Sequence, residues 1–462
     1  MNVSDSERIA GFLEKYGFRK ASNIKEADLV AFNTCGVRQM AEDRVYGQIH
    51  NLKSLSQISN LKIVLTGCLA HRKDVQRRLK NKVDLFFAIN NFKEFENWII
   101  ATALAESRLG GKNCLEIENC KLKISAQRDR LLNQESIGYL SISPKRINDY
   151  QAFVPIMTGC NNFCSYCVVP YARGREISRP ALEILKEIKK LIRAGCKEIV
   201  LLGQNVNSYC DRSKNSSSEA LAKEDCNNTF PQLLRRINAI PGNFWISFLS
   251  NHPKDFSNEL IETATKLKKV CEYIHLPIQT GDDKILQKMN RKYTRGQYFK
   301  LVDKIRRSFK KYKPDKLYSI TSDIIVGFPG ETKKQLSKSA EVMKKVKYDM
   351  VYFGQFSRRP ETVAWKMKDN VGKYEKSRRE TYLNEILKKT SLENNKKYVS
   401  KIIEVLIDEE KNGFYFGRTR TMKNVKIVED KKNLVGKFVK VEITKANAWN
   451  LEGVCHLADS RP

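Results

Sequence analysis

No stretch of this 462-residue sequence stays apolar for the ~20 residues that a membrane-crossing helix needs. A chain threaded through a bilayer by helices is therefore excluded. The first residues also lack the basic-then-apolar layout of a secretory leader, so a cytoplasmic location is expected. Acidic side chains are in deficit, 52 against 84 Lys and Arg, which leaves a formal net charge of +32. A field of that size favours a polyanionic partner, RNA being the natural candidate, although the lysines are spread along the chain. The twelve cysteines lack the regular spacing of a disulfide framework. Cys114, Cys120, Cys196, Cys210, Cys226, Cys271 and Cys455 are expected to be small apolar fillers or surface thiols. What remains, at 41% apolar and 29% charged residues, is a soluble globular chain with room for several cores.

Three cysteines break the irregular pattern. Cys160, Cys164 and Cys167 stand at C-x3-C-x2-C, directly after the apolar run Pro155-Ile156-Met157 and before a helical pattern. Thiolates are the ligands of iron–sulfur clusters, and such tight spacing lets one loop wrap one cubane. Three ligands for four irons leave one iron open to a small molecule, as catalytic metals keep one position free of protein. A zinc knuckle is the plain alternative, but zinc favours four ligands in C-x2-C pairs, and no fourth Cys or His lies nearby.

The chain around the trio reads as alternating strands and helices. Over 4–16, Ser4 and Glu7 form a capping box, and Ile9, Phe12, Leu13 and Tyr16 share one face. Strands at 28–33, 61–66 and 84–89 alternate with helices near 38–53, 72–80 and 92–107, which predicts a doubly wound parallel sheet. Cys35 and Cys68 each follow a strand, on the rim where open parallel sheets collect ligands. Residues 108–150 are polar and aperiodic, a connector. A second alternation then begins, with strands at 153–158, 198–202, 244–248, 273–277, 318–326 and 350–355. Its clearest helix is 181–193, with Ile184, Leu185, Ile188, Leu191 and Ile192 on one stripe. Six βα units predict a partial (βα)6 barrel with its chemistry at the carboxyl ends of the strands.

Polar residues gather at those ends: Gly203, Gln204, Asn205 and Asn207; Ser250, Asn251 and His252; His275 and Gln279; Asp323 with Gly327-Phe328-Pro329-Gly330-Glu331-Thr332; and Gln355, Ser357 and Arg359. Each alone reads more readily as an ordinary turn or cap. Together they suit a polar ligand approached closely by backbone. Arg173, Arg175 and Arg179 are placed either for phosphate or carboxylate contacts or for structural salt bridges. Residues 210–229, rich in Ser, Asn and Lys, read as an insertion without structure. A charged helical bridge follows at 376–398. Short strands at 402–408, 414–418, 424–428, 437–443 and 451–455 then predict a small antiparallel β-barrel, an architecture often used on RNA. Residues 401–445 carry eleven basic and seven acidic side chains, a mild excess. Phe416 and Arg418 are candidates there for base stacking and phosphate contact, with core packing the alternative for the aromatics.

These motifs resemble a known family. The C-x3-C-x2-C loop is similar to that of the radical S-adenosylmethionine (SAM) superfamily. Met1-Asn2-x-x-Asp5-Ser6-Glu7, Asn33-Thr34-Cys35, Thr66-Gly67-Cys68, Val169-Pro170-Tyr171-x-Arg173-Gly174, Gly203-Gln204-Asn205-Val206-Asn207, His275-Leu276-Pro277-x-Gln279 and Asp323-x-x-Val326-Gly327-Phe328-Pro329-Gly330-Glu331-Thr332 look like those of its methylthiotransferases. The pairing of the first with Gly-Gln-Asn-Val-Asn most resembles the branch that modifies isopentenyl-adenosine in tRNA. Related branches act on threonylcarbamoyl-adenosine in tRNA or on a ribosomal-protein aspartate. The reading from another class is a non-enzymatic RNA-binding protein with a structural metal.

The resemblance implies a domain plan: a methylthiotransferase domain at 1–110 apparently lacking its first strand, a linker at 111–150, a radical SAM barrel at 151–375, the helical bridge, and a TRAM-like domain at 399–462. It implies a 4Fe–4S cluster on Cys160, Cys164 and Cys167 that cleaves SAM reductively. SAM would be held by Tyr166, Gly203, Gln204, Asn205, Ser250, Gln279 and Asp323. An auxiliary 4Fe–4S cluster would sit on Cys35, Cys68 and a third cysteine, which the family places two residues before the position of Met1. Either the true start lies upstream, which is favoured, or a ligand has been lost. Contacts to tRNA fall to Arg173, Arg175, Arg359, Phe416 and Arg418. Implied partners are a tRNA anticodon stem-loop and a low-potential electron donor such as flavodoxin or ferredoxin, with the protein a monomer. One departure is Glu361, where the family's Arg-Pro is followed by Gly.

Overall fold

The structure is a computed structural model that describes residues 1–34, 36, 39–54, 61–108, 139–212, 228–428 and 433–456. Most of the expected connector, most of the 210–229 insertion, Cys35, Cys114, Cys120 and Cys226 lie outside the described residues. The chain divides into two compact units, residues 1–147 with 167–175, and residues 148–166 with 176–462.

In the first unit, strands β1 (Leu29–Thr34), β2 (Lys62–Gly67) and β3 (Leu85–Phe86) pair in parallel in that order. Helices α1 (Asn2–Lys15) and α4 (Phe92–Arg108) cover one face, where Ile9, Phe12, Phe92 and Phe95 pack on Val64 and Phe87. Helices α2 (Gln39–Ser54) and α3 (Lys73–Leu79) cover the other, through Ile49, Val75 and Leu79 on Ile63 and Leu65. The sheet is thus doubly wound, because strands with apolar residues on both faces must be covered on both. Helix α1 corrects the sequence reading. It begins a turn earlier, at Asn2, with Met1 as N-cap and no side-chain cap, so Ser4 lies inside it. Glu7, instead of capping, accepts from Ile147 N at 3.1 Å and faces Arg146. A short helix α5 (Val169–Arg173) completes this unit.

In the second unit, β4 (Gln151–Pro155), β7 (Glu198–Leu202) and β10 (Trp245–Phe248) form one parallel sheet. Strands β11 (Tyr273–His275), β12 (Ser319–Val326) and β13 (Met350–Gln355) form another. Hydrogen bonds from Ile246 N to Lys269 O (2.8 Å) and from Cys271 N to Ile246 O (2.9 Å) join the two into a six-stranded partial barrel. The first expected strand stops at Pro155. Met157–Thr158 (β5) instead pairs antiparallel with Ile177–Ser178 (β6), drawing the intervening loop into a hairpin. Helix α6 (Ala181–Arg193) buries Ile184, Leu185 and Ile188 as its stripe predicts. Cys210, expected as a thiol, opens the two-residue strand β8 (Cys210–Asp211), which pairs with β9 (Asn228–Thr229), and is disulfide-bonded.

The C-terminal barrel is closed, in the order β14 (Ile402–Lys411), β15 (Phe414–Thr419), β16 (Asn424–Val428), β18 (Leu451–Cys455), β17 (Phe438–Ala446). Its pairings are antiparallel except β16 with β18, which run parallel. It docks on the amino ends of the larger barrel's strands. Lys423 pairs with Asp349, Arg420 with Glu272, and Trp245 donates to Glu404. That leaves the carboxyl ends for chemistry. The bridging helix expected over 376–398 runs instead from Lys373 to Lys396, and its Leu383 and Leu387 join the main core.

Candidate active site

The loop between β5 and β6 carries the three cysteines. Cys160 is buried and Cys164 and Cys167 half-buried, and none is in a disulfide. Burial pushes the Cys160 thiol up from its ordinary value. Among the described residues no three Cys, His, Asp or Glu side chains stand together as a group that could hold a metal ion, the three cysteines included, so what marks the trio is its spacing on one loop.

A segment the sequence reading passed over holds that loop within the second unit. Met289 O accepts from Ser165 N at 3.1 Å. Asn290 Nδ2 donates to Phe163 O at 2.9 Å, and Arg291 Nη1 lies 3.4 Å from Cys164 Sγ. The signal for it was a polar Asn-Arg pair just past the helix Asp283–Lys288, with Asn290 at φ +57°, a conformation asparagine tolerates better than most residues. Tyr166 packs beside Met289, Phe328 and Phe356.

The rim of the partial barrel brings together most of the residues expected there. Asn205 is 2% exposed and donates from Nδ2 to Asp255 at 2.7 Å. Asn207 Oδ1 accepts from His252 N, and Asn251 Nδ2 donates to His275 O. Yet Gln204 Oε1, Asn205 Oδ1, Asn207 Nδ2 and Asn251 Oδ1 are buried with no hydrogen-bond partner among the described residues. Such atoms normally find one, so four on one rim mark a surface shaped for something polar. Ser250 and Gln279 stand at φ +68° and +74°, unusual for side-chain-bearing residues, and strain of this kind concentrates at ligand sites. Asp323 Oδ2 lies 3.3 Å from His275 Nε2, whose Nδ1 meets Thr321 Oγ1 at 2.9 Å. Gly203 is needed for packing: a Cβ there would come within 2.5 Å of Met157 Cγ. His252, between Lys254 and Arg291, is pushed down to about 2, chiefly by burial, and stays neutral.

Other candidates turn out structural. Glu331 is buried, accepts from Gly327 N at 2.8 Å and pairs with Arg379, while Thr332 caps the helix Lys333–Val346 with Gln335 completing a capping box. Arg173, within the first unit, forms a buried ion pair with Asp5, which also accepts from Tyr139. Arg179 pairs with Glu187 at 2.8 Å. For these two the salt-bridge alternative is what the structure contains. Arg175 is exposed, and Arg359 is buried. Arg418, expected on RNA phosphate, instead bonds Asp408 at 2.7 Å and Glu198 at 3.2 Å, because its strand faces the larger barrel. Phe416 is half-buried on the same outer face of β15, whereas Tyr415 points into the small barrel's core.

At the strand ends of the first unit, Cys68 is buried beside Val168 and Ala172. Thr34 Oγ1 donates to Thr66 O, and Thr66 Oγ1 to Phe87 O, so the three ends are laced together. Gly67 takes φ +84°, and a Cβ on it would strike Thr34 O at 2.3 Å. A Cβ on Gly36 would lie 2.8 Å from Cys68 Cβ. Only glycine lets the chain next to position 35 come this close to the thiol.

Comparison with known proteins agrees with this layout. Residues 154–343 match the Radical SAM superfamily, residues 1–88 the Uncharacterized protein family UPF0004, and residues 396–455 the TRAM domain. A tRNA-2-methylthio-N(6)-dimethylallyladenosine synthase of Thermoanaerobacter sp. (strain X514) is 39% identical over 460 residues, 98% of this chain and 90% of that protein. One from Clostridium botulinum (strain Langeland) is 40% identical over 464 residues, 98% of this chain and 94% of that one. Among solved structures, the radical S-adenosylmethionine methyltransferase TsrM of Kitasatospora setae aligns with a TM-score of 0.45 and 15% identity, over 77% of this chain and 66% of that one.

Proposed function

This chain belongs to the radical SAM methylthiotransferase family, in its tRNA-2-methylthio-N(6)-dimethylallyladenosine synthase branch, and on that premise we propose that it inserts a methylthio group at C2 of N6-isopentenyl-adenosine beside the anticodon of tRNA. The observation that carries the reading is identity of 39–40% to such synthases over 98% of the chain, both barrels included. The residues fit the cofactors the family implies. Three reduced cysteines on one loop suit a cluster with an open iron, and the unpaired amide atoms of the rim suit the amine, carboxylate and ribose of SAM. When bound, the cluster and SAM together supply one-electron cleavage of the sulfonium.

The chain's own part is positioning. Carbon 2 of adenine has no acidic proton, so a general base has nothing to remove there, and orientation and exclusion of water become the protein's tasks. Gln204, Asn205, Asn207 and Asn251 would hold SAM through hydrogen-bonding capacity left unspent among the described residues, with Tyr166 and Asp323, the latter set beside His275, as the further residues that would bind it. Cys35 and Cys68, with a third ligand, would hold the auxiliary cluster that the family implies, and it would supply the sulfur to be inserted. The anticodon loop offers splayed bases to such a site, with Arg175, which is exposed, and Phe416, which is half-buried, as candidates for contact with RNA. The enzyme works as a cytoplasmic monomer with flavodoxin or ferredoxin as donor.

The test is anaerobic reconstitution with iron and sulfide, then incubation with SAM, reductant and tRNA bearing either isopentenyl- or threonylcarbamoyl-adenosine. Mass spectrometry should find the methylthio nucleoside only from the first substrate. Cys160→Ala, Cys164→Ala and Cys167→Ala should each reduce SAM cleavage to background. Product from the threonylcarbamoyl substrate alone, or stoichiometric zinc on the trio after anoxic purification, would overturn the reading.

A further inference from the structure

Arg291 is 7% exposed, and no carboxylate forms an ion pair with it among the described residues. Its guanidinium spends Nε on Tyr293 Oη (2.9 Å), Nη2 on Pro277 O (3.0 Å) and Nη1 on Cys164 Sγ (3.4 Å). It also lies against the Tyr293 ring, 5.1 Å from its centroid. A phenol and a carbonyl can accept hydrogen bonds, but neither carries a formal charge to balance the cation. Burying an unbalanced charge costs far more than the net worth of two neutral hydrogen bonds, so a counter-charge is required. Of the three polar groups that Arg291 touches, only the Cys164 sulfur belongs to the loop read as holding the cluster, whose ligand sulfurs would carry negative charge. Two other buried arginines of this unit each have a carboxylate: Arg179 has Glu187 and Arg379 has Glu331.

The surroundings make the contact a built one. Asn290, next in the chain, grips the backbone of the same loop at Asn162 O (3.3 Å) and Phe163 O (2.9 Å), and Met289 O holds Ser165 N. Phe163 is thereby kept at φ +47°, a conformation that a bulky side chain rarely adopts unaided. The three consecutive residues therefore fasten the loop on both sides of Cys164 and put one fixed positive charge against its sulfur.

We infer that Arg291 is the counter-cation of the cluster-bearing Cys164 thiolate, a positioning residue that raises the reduction potential of the cluster, with Asn290 fixing the loop that presents it. This rests on the reading that Cys160, Cys164 and Cys167 hold that cluster. A reduced cluster carries one more negative charge than an oxidised one, so a buried cation and an N–H···S bond favour reduction. They act through the ligand and need no contact with substrate.

The experiment is an EPR-monitored reductive titration of the reconstituted full chain in a Cys35→Ala/Cys68→Ala background, so that only the central cluster is read. Arg291→Met should lower the reduced-to-oxidised ratio at fixed potential about tenfold, some 59 mV for one electron. Arg291→Lys, which keeps the charge, should stay within about threefold of the parent. An unchanged potential in Arg291→Met at full iron content overturns the inference. If Arg291→Met fails to fold, Arg291→Lys decides alone: a loaded cluster near the parent potential supports it, and a tenfold fall with iron content intact refutes it. A parent that takes up no cluster refutes instead the assignment of the three cysteines, and iron and sulfide analysis separates the two failures.

Discussion

At position 361 the chain carries a glutamate at φ +70°, in the left-handed region that glycine enters without cost. The family resemblance anticipated a glycine there, and the backbone explains why: the turn after β13 needs this conformation whatever the side chain. Thr362 N and Oγ1 both bond Arg359 O, which closes the turn and holds Glu361 in place. A residue so held stores strain of about 1 kcal/mol or more, part of which the greater unfolded-state freedom of glycine takes back. Glu361→Gly is therefore expected to stabilise the apoprotein modestly, by up to ~1 kcal/mol, seen as a small rise in thermal midpoint. A fall in the midpoint would show that the glutamate side chain holds the turn better than the backbone argument allows. Arg173 and Arg179 teach the complementary lesson. Their spacing beside the cysteine loop was legible, but whether each met a ligand or a carboxylate depended on Asp5 and Glu187, and no local pattern announces such partners.

At the scale of the element, strand β15 shows that an outward-facing side chain need not face solvent. Tyr415 points into the small barrel while Phe416 and Arg418 point out, as period-two geometry requires. The sequence makes both Phe416 and Arg418 candidates for contact with RNA. In the structure part of that outer face is itself an interface, and Arg418 closes it with Asp408 and Glu198, the latter 1% exposed. Removing one partner of a buried pair costs roughly 3–5 kcal/mol. The lower end is expected here, because Gln151 and Ser247 still bond Glu198. Arg418→Met should lower the midpoint of thermal unfolding by several degrees. It should leave the slope of log K against log salt for tRNA binding unchanged. A slope shallower by about one charge would return Arg418 to the phosphate contacts.

At the scale of the molecule, the C-terminal barrel is a structural part of the central one. Asp349, Glu272 and Trp245, at or beside the amino ends of the larger barrel's strands, take their partners from Lys423, Arg420 and Glu404. Ser319 Oγ donates to Thr421 O, and Leu406 packs with Trp245, Cys271 and Tyr273. Ending the chain after residue 398 would strip these groups of their counterparts and expose the apolar seam. Such a truncation should lose near-ultraviolet circular dichroism and protection from limited proteolysis across the central barrel, beyond any loss of RNA affinity. A truncated protein that keeps both would show that the two barrels fold independently.

Much of this was open to a reader of the sequence alone. Strand and helix periodicities, the C-x3-C-x2-C loop and the five short terminal strands are local patterns, and each element appears within a few residues of its expected place. The physical reason is that periodicity and ligand spacing are set by neighbours along the chain. Tertiary structure alone decided which polar groups are spent on one another and which are left over: Arg418 on Glu198, Glu331 on Arg379, one atom of each of four rim amides on nothing among the described residues, and Arg291 on a cysteine 127 residues away. Burial sets the worth of a charge, and burial depends on every element that packs around it.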